Sequence, residues 1–254
     1  MTETESAFLC GAIKEFRPKK ILEVGVATGG STAVILQALE DIGESYEMHS
    51  IDILKKHAEY RTKDIGYFAT FAKENNLINP NGLRGSHEFY CGKILPQVID
   101  KIGGDIDFVI LDTVHFLPGE VLDFLAMLPY LKDSAVVVLH DVALNQHSYQ
   151  TGWAEACATG TLFSAVTAEK FLNFIPEDLF QYPNIAAFRV NEQTTENVEN
   201  VFLSLILCWK YLPSEEQLLV YRKLYQKFYS AELCEIFQEA IDMNAYNYYL
   251  AQRK

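Results

Sequence analysis

Between residues 20 and 190, short apolar, β-prone runs alternate with stretches whose apolar residues recur every three to four positions. That alternation predicts parallel strands in one sheet with helices crossing over its faces. The first strand falls at about Lys20–Gly25. In the helix that follows, Val34, Ile35, Ala38, Leu39 and Ile42 keep helical spacing, and Ser31 is its expected cap. A second strand, Glu47–Ile53, ends near Asp52. A polar helix is predicted around Tyr60–Asn75, then a strand at His87–Cys91 closed by Gly92. Asp107–Asp112 is continuously apolar inside, as a strand buried on both faces should be. A helix over Gly119–Leu131 leads to a strand at Ala135–His140, and residues 171–176 with Asn184–Val190 form a last pair of strands.

After Val190 the pattern becomes purely helical, over about 197–212, 214–229 and 230–251, following the polar linker Asn191–Glu196. Ser214 and Gln217 have the spacing of a capping box. Leu218, Tyr221, Leu224, Tyr225 and Phe228 make one apolar stripe, and Leu233, Ile236, Phe237, Ala240 and Ile241 another. The expected division is an α/β domain over 1–190 and a helical extension over 191–254. The extension packs on the sheet, covers a ligand site as a lid, or forms a homodimer interface.

Composition narrows the partners. The chain has 254 residues, 49% of them hydrophobic, and a net charge of -13. An acidic surface repels phosphate backbones, so a nucleic-acid partner is disfavoured. The five cysteines are widely spaced and include no C-x-x-C pair, which indicates neither a zinc site nor a disulfide framework. The N-terminus lacks a basic leader, and no apolar run is long enough to span a bilayer. A cytoplasmic protein with no membrane partner is expected.

The chemistry concentrates at strand ends, where ligands bind in a parallel sheet. Lys20–Thr32 runs from an apolar strand through a glycine turn into a helix, so backbone N–H groups can face a polar ligand near a helix N-terminus. Ala27 stands where G-x-G-x-x-G needs its second glycine, which turns the reading away from a dinucleotide. Glu23, inside the strand, needs a hydroxyl or cationic partner. Asp52 is placed to accept hydrogen bonds from a ribose diol. Asp112 and Asp141 should reach the same rim, and with His140 they could hold an oxygen-loving divalent cation. Alternatively, Asp112 contacts the ligand and His140 and Asp141 cap a helix. His115 carries an imidazole, a side chain suited to removing a hydroxyl proton.

The spacing Glu23-x-Gly25-x-x-x-Gly29 resembles motif I of the class I S-adenosylmethionine (SAM)-dependent methyltransferases. Phe108–Asp112 with His115, then Leu128–Leu131, then Val138–Asp141, resembles a subgroup with an I-D-x-x-H … L-x-P-G-G … H-D signature. That subgroup includes O-methyltransferases of sugars and natural products and relatives of the cephalosporin-hydroxylase and macrocin O-methyltransferase type. The resemblance covers about residues 20–190. It implies a Rossmann-like sheet with an antiparallel edge strand. It also implies SAM held by Glu23, Gly25, Ala27, Gly29, Ser31, Asp52, Gly92 and Asp112. Mg2+ would sit on Asp112, His140 and Asp141. Methyl would pass to a hydroxyl oxygen of a small-molecule acceptor, with His115 and Asp112 catalytic. The chain departs from the pattern in three places: Leu131–Ser134 replaces the usual Lys-Pro-Gly-Gly turn, Thr113-Val114 stands inside the Asp-Gly-Asp/Asn-His segment, and His140 replaces a frequent carboxylate or is a variant of the His-Asp form. Two rival readings are a metal-dependent, non-methylating enzyme on the same fold and an inactive SAM-binding protein.

Overall fold

The computed structural model describes residues 1–57, 59, 62–147, 153–172 and 184–251. Its centre is a seven-stranded sheet: β1 (Lys20–Val24), β2 (Glu47–Asp52), β3 (Ser86–Cys91), β4 (Ile106–Leu111), β5 (Leu131–His140), β6 (Glu169–Leu172) and β7 (Ile185–Arg189). The spatial order is β3-β2-β1-β4-β5-β7-β6. The first five strands in that order are parallel, and β7 pairs antiparallel with both β5 and β6. Such an order reverses direction between β1 and β4, and the cleft opens at the strand ends there.

Alternation along the strands assigns the two faces. In β4, Phe108 and Ile110 turn to one side, where they meet Leu9 and Ile13 of α1 (Glu3–Phe16) and Ile35, Leu36 and Leu39 of α2 (Gly30–Ile42). Val109 and Leu111 turn to the other, towards α5 (Gly119–Met127) and α6 (Ala158–Ala165). Helices α3 (Tyr67–Glu74) and α4 (Ile99–Ile102) complete the crossovers.

The chain after Val190 forms α7 (Glu192–Glu196), α8 (Val198–Ser204), α9 (Glu215–Phe228) and α10 (Ala231–Ala251). Phe202, Tyr225 and Phe237 bury their rings in the same core as Val109 and Leu111. Three tyrosines tie the segment to α5: Tyr225 and Tyr229 donate to the Leu122 and Leu125 carbonyls, and Tyr221 donates to Asp123. The capping box at Ser214 and Gln217 forms.

Several boundaries differ from the sequence reading. Helix α1 has no counterpart there. The predicted 60–75 helix starts only at Tyr67, after Gly66 takes a left-handed conformation. The predicted 119–131 helix tightens after Met127, where Pro129 removes an N–H donor. The predicted 197–212 helix ends at Ser204, because Trp209 turns inward and donates its backbone N–H to Asn244 of α10. Ser31 does not cap α2. Gly29 holds the cap position with φ 83°, and Ser31 lies in the first turn. No helix among the described residues is long and apolar enough to cross a membrane.

Candidate active site

The glycine turn is fixed from both sides. Asp52 Oδ2 accepts the backbone N–H groups of Val26 and Ala27 at 3.1 and 3.0 Å, and its Oδ1 accepts that of Leu54 at 2.8 Å. The other side is the segment before α3: Gly66 and Phe68 donate their N–H groups to the Ala27 and Thr28 carbonyls. A side chain at Gly29 would strike the Gly66 backbone at 2.8 Å, so this glycine admits protein rather than ligand. Gly92 likewise packs on the stem of Lys55. Neither glycine lines the cleft, whereas Gly25, Ala27 and Asp52 do, and Lys93 lines it in place of Gly92.

Glu23 lies deeper than a ligand contact requires. Its carboxylate is fully buried and accepts hydroxyls from Ser31 (2.9 Å), Thr32 (2.8 Å) and Ser50 (2.6 Å), stitching β1 to α2 and β2. Glu23 and Ser31 therefore satisfy each other behind the cleft. Burial pushes the Glu23 carboxyl up to about 7, against the pull of the three hydroxyls. Glu120 is also pushed up to about 7 by burial, opposed by the His115 backbone N–H that it accepts at 2.6 Å.

These two carboxyls set a pH dependence of stability. Each keeps its proton in the folded state to a higher pH than the ordinary 4.5 that applies when unfolded, so stability falls as pH rises from about 4.5 to 7. Each contributes up to ~3 kcal/mol. Glu5 works at the acid end: held down to about 2, it adds stability above 4.5 that is lost towards pH 2. The thermal midpoint is expected to peak near pH 5 and to be lower at pH 8. Melting curves at matched ionic strength test this, and an equal or higher midpoint at pH 8 rules it out.

At the ends of β4 and β5, six ionisable side chains converge. His140 is buried, with Nδ1 3.4 Å from Asp112 Oδ1 and 3.2 Å from Asp141 Oδ2, and Nε2 3.2 Å from Glu5 Oε2. Burial alone lowers its basicity, but the carboxylates of Asp112, Asp141 and Glu5 override this and raise it to about 12. His115 sits at φ 64°, with Nε2 3.3 Å from Asp141 Oδ2 and 3.9 Å from Asp112 Oδ1, and Nδ1 3.6 Å from Glu120 Oε1. Asp141 is left-handed too, at φ 59°, and accepts from Asn184. Beside His115 stands an aromatic wall, Phe116 stacked on Trp153 at 5.6 Å.

Asp112, His140 and Asp141, the residues expected to hold a metal, stand together at this rim. Asp112, His115 and Asp141 each offer an atom within 4.8 Å of the others. A Mg2+ ion there would take one oxygen from each of the two carboxylates and fill its other positions with water or acceptor oxygens, and it would lower the pKa of an acceptor hydroxyl. Glu5 escapes a strand-by-strand reading altogether, although Thr2-x-x-Glu5 is a capping box and both its bonds form.

The cleft itself is a cavity of about 430 Å³, running from the glycine turn past Asp52 to Asp112 and Thr113, with Tyr211, Gln217 and Tyr221 of the C-terminal segment on its wall. With this geometry in place, the sequence over residues 22–142 matches the family model described as a methyltransferase domain. That match covers 121 of the 254 residues. No curated protein matches the chain in sequence. Among solved structures, an SAH-bound methyltransferase of Podospora anserina is similar at 14% identity and a TM-score of 0.51, covering 76% of this chain and 80% of that one. The O-methyltransferase TomG of Streptomyces achromogenes, involved in tomaymycin synthesis and solved with SAM, is similar at 17% identity and 0.48, over 75% and 81%. The methyltransferase domain has the Rossmann-like sheet and antiparallel edge that its motifs imply.

Proposed function

We propose that the chain is a SAM-dependent O-methyltransferase acting on a hydroxyl of a small molecule. The observation that carries this reading is the continuity of the cleft: one cavity joins the glycine turn and Asp52 to Asp112, and His115 stands at that end. The fold relative that binds SAH supports the donor. Gly25, Ala27, Asp52 and Asp112 would hold SAM, which supplies an activated methyl group when bound. Asp52 already spends three of its roughly four lone-pair positions on backbone N–H groups, so it fixes the turn and keeps one position for a ribose hydroxyl.

On the acceptor side, His115 Nε2 lies beside Asp112 and Asp141. An acceptor hydroxyl entering there gives its proton to Nε2, and the two carboxylates hold the resulting imidazolium. His140 offsets their charge, so the oxygen that loses its proton is not repelled. Phe116 and Trp153 flank that position and suit an acceptor with a flat or apolar face. The helical extension, 191–254, closes the cleft's far end. Tyr149, four residues before Trp153, lies outside the described residues.

Calorimetry with SAH and transfer of labelled methyl from SAM to a panel of hydroxylated small molecules test the reading. Micromolar SAH binding is expected, weakened at least ~30-fold in Asp52→Ala, where the turn loses its anchor and the ribose its acceptor. Absence of SAH binding to the wild type overturns it. Turnover after exhaustive chelation tests whether a cation takes part. A ten-fold loss restored by Mg2+ would show that a cation belongs at Asp112 and Asp141.

A further inference from the structure

The cleft has a second buried acid that the transfer chemistry does not use. Asp123 lies on α5, a helix whose residues 121, 122 and 124–127 are all apolar and buried. It is 8% exposed, and it lines the cleft. Its only hydrogen-bond partner among the described residues is the Tyr221 hydroxyl, which donates to Oδ1 at 2.6 Å. Neither of its oxygens is among the buried polar atoms sealed off without a partner. The remaining acceptor capacity therefore opens into the cavity. Burial raises its carboxyl only to about 6, against the pull of Tyr221, so it is an anion at neutral pH.

The surroundings say what should meet it. Reaction requires the methyl end of the donor at Asp112 and His115, and Asp52 marks the sugar. The base then takes the remaining part of the cleft, whose walls are Ile53, Leu95 and Leu122. Ile53 is 54% exposed, an apolar surface suited to a flat ring. In such a slot a carboxylate held by a tyrosine favours a hydrogen-bond donor on the ring edge and penalises a carbonyl.

We propose that Asp123, oriented by Tyr221 from the C-terminal segment, is the residue that selects adenine, accepting a hydrogen bond from its exocyclic amine. The inference rests on the SAM reading and adds to it a specificity element lying in part outside the 22–142 match. It also gives the C-terminal helices a role in ligand choice.

The test compares SAH with its deaminated analogue, S-inosylhomocysteine, by calorimetry. Wild-type protein is expected to bind the analogue at least ~30-fold more weakly, since its ring carbonyl faces the Asp123 carboxylate. Asp123→Asn keeps an acceptor for Tyr221 and offers the cleft an amide. It should bind SAH ~10-fold more weakly and bring the two ligands within about three-fold. If the wild type binds both ligands equally, or Asp123→Asn keeps the full discrimination, the proposal is overturned while the SAM reading stands. If the wild type binds no SAH, both fail. The wild-type comparison decides the matter even if Asp123→Asn does not fold.

Discussion

Replacing His115 with alanine is expected to lower turnover by roughly 10²- to 10⁴-fold while SAH affinity changes by less than about three-fold. The effect falls on the acceptor side because His115 faces Asp112 and Asp141, whereas the glycine turn and Asp52 hold the donor side independently of it. His115 sits at φ 64°, a conformation that asparagine tolerates better than alanine, so His115→Asn provides a control in which backbone strain is matched. Both variants should be equally slow. Added imidazole should restore part of the alanine variant's rate, since the missing group is a base and the cavity it leaves can admit one. Turnover within three-fold of wild type in both would remove His115 from the chemistry.

Gly25→Ala should be as damaging, for a structural reason. Gly25 has φ 93°, and an added Cβ would lie 1.7 Å from the Asp112 carbonyl oxygen, a backbone atom that cannot swing away. Here β1 and β4 are spliced by the Asp112 N–H donating to the Val24 carbonyl, while Gly25 donates to Ile51 of β2. Relief of the clash must part strands at the point where the cleft begins. A loss of ~3 kcal/mol or more is expected, equivalent to a midpoint drop of about 6–12 °C in a chain of this size. SAH binding should fall more than ~100-fold, because the turn and Asp112 move together. Gly43→Ala serves as the comparison: its φ is also positive, at 80°, but nothing lies within 4 Å of an added Cβ. It should show the backbone strain without the loss of binding. Equal SAH affinity in Gly25→Ala and wild type would show that the close approach to Asp112 is dispensable.

Much of the site was legible because a parallel sheet delivers its strand ends to one edge. Asp52, Asp112 and Asp141 could be placed on a common rim from the apolar runs that precede them, and the structure brings them there. Glu23 reads in sequence as an acid in need of a hydroxyl or cationic partner, and its partners Ser31, Thr32 and Ser50 turn it away from the cleft. Which face of a strand an acid takes depends on what packs there, and apolar runs buried on both sides give no alternation to read. The turn glycines look alike in sequence, but Gly25 approaches Asp112, Gly29 approaches Gly66 and Gly92 approaches Lys55.

The local pattern of the chain by itself determined the alternating α/β architecture, the glycine turn, and the acids and histidines at the strand ends. Each of these follows from neighbours in sequence: periodicity, turn chemistry, and polar residues closing apolar runs. Only the tertiary structure decided what those residues do. Glu5 reaches His140 across 135 positions and adds a third carboxylate to those of Asp112 and Asp141 around its ring. Tyr221 reaches Asp123 across nearly 100 positions and leaves an acid in the cleft wall with one partner. Protonation state and free hydrogen-bonding capacity are set by the sum of burial and partners within a few ångströms. Those partners come from helices whose spacing to the site no local pattern encodes.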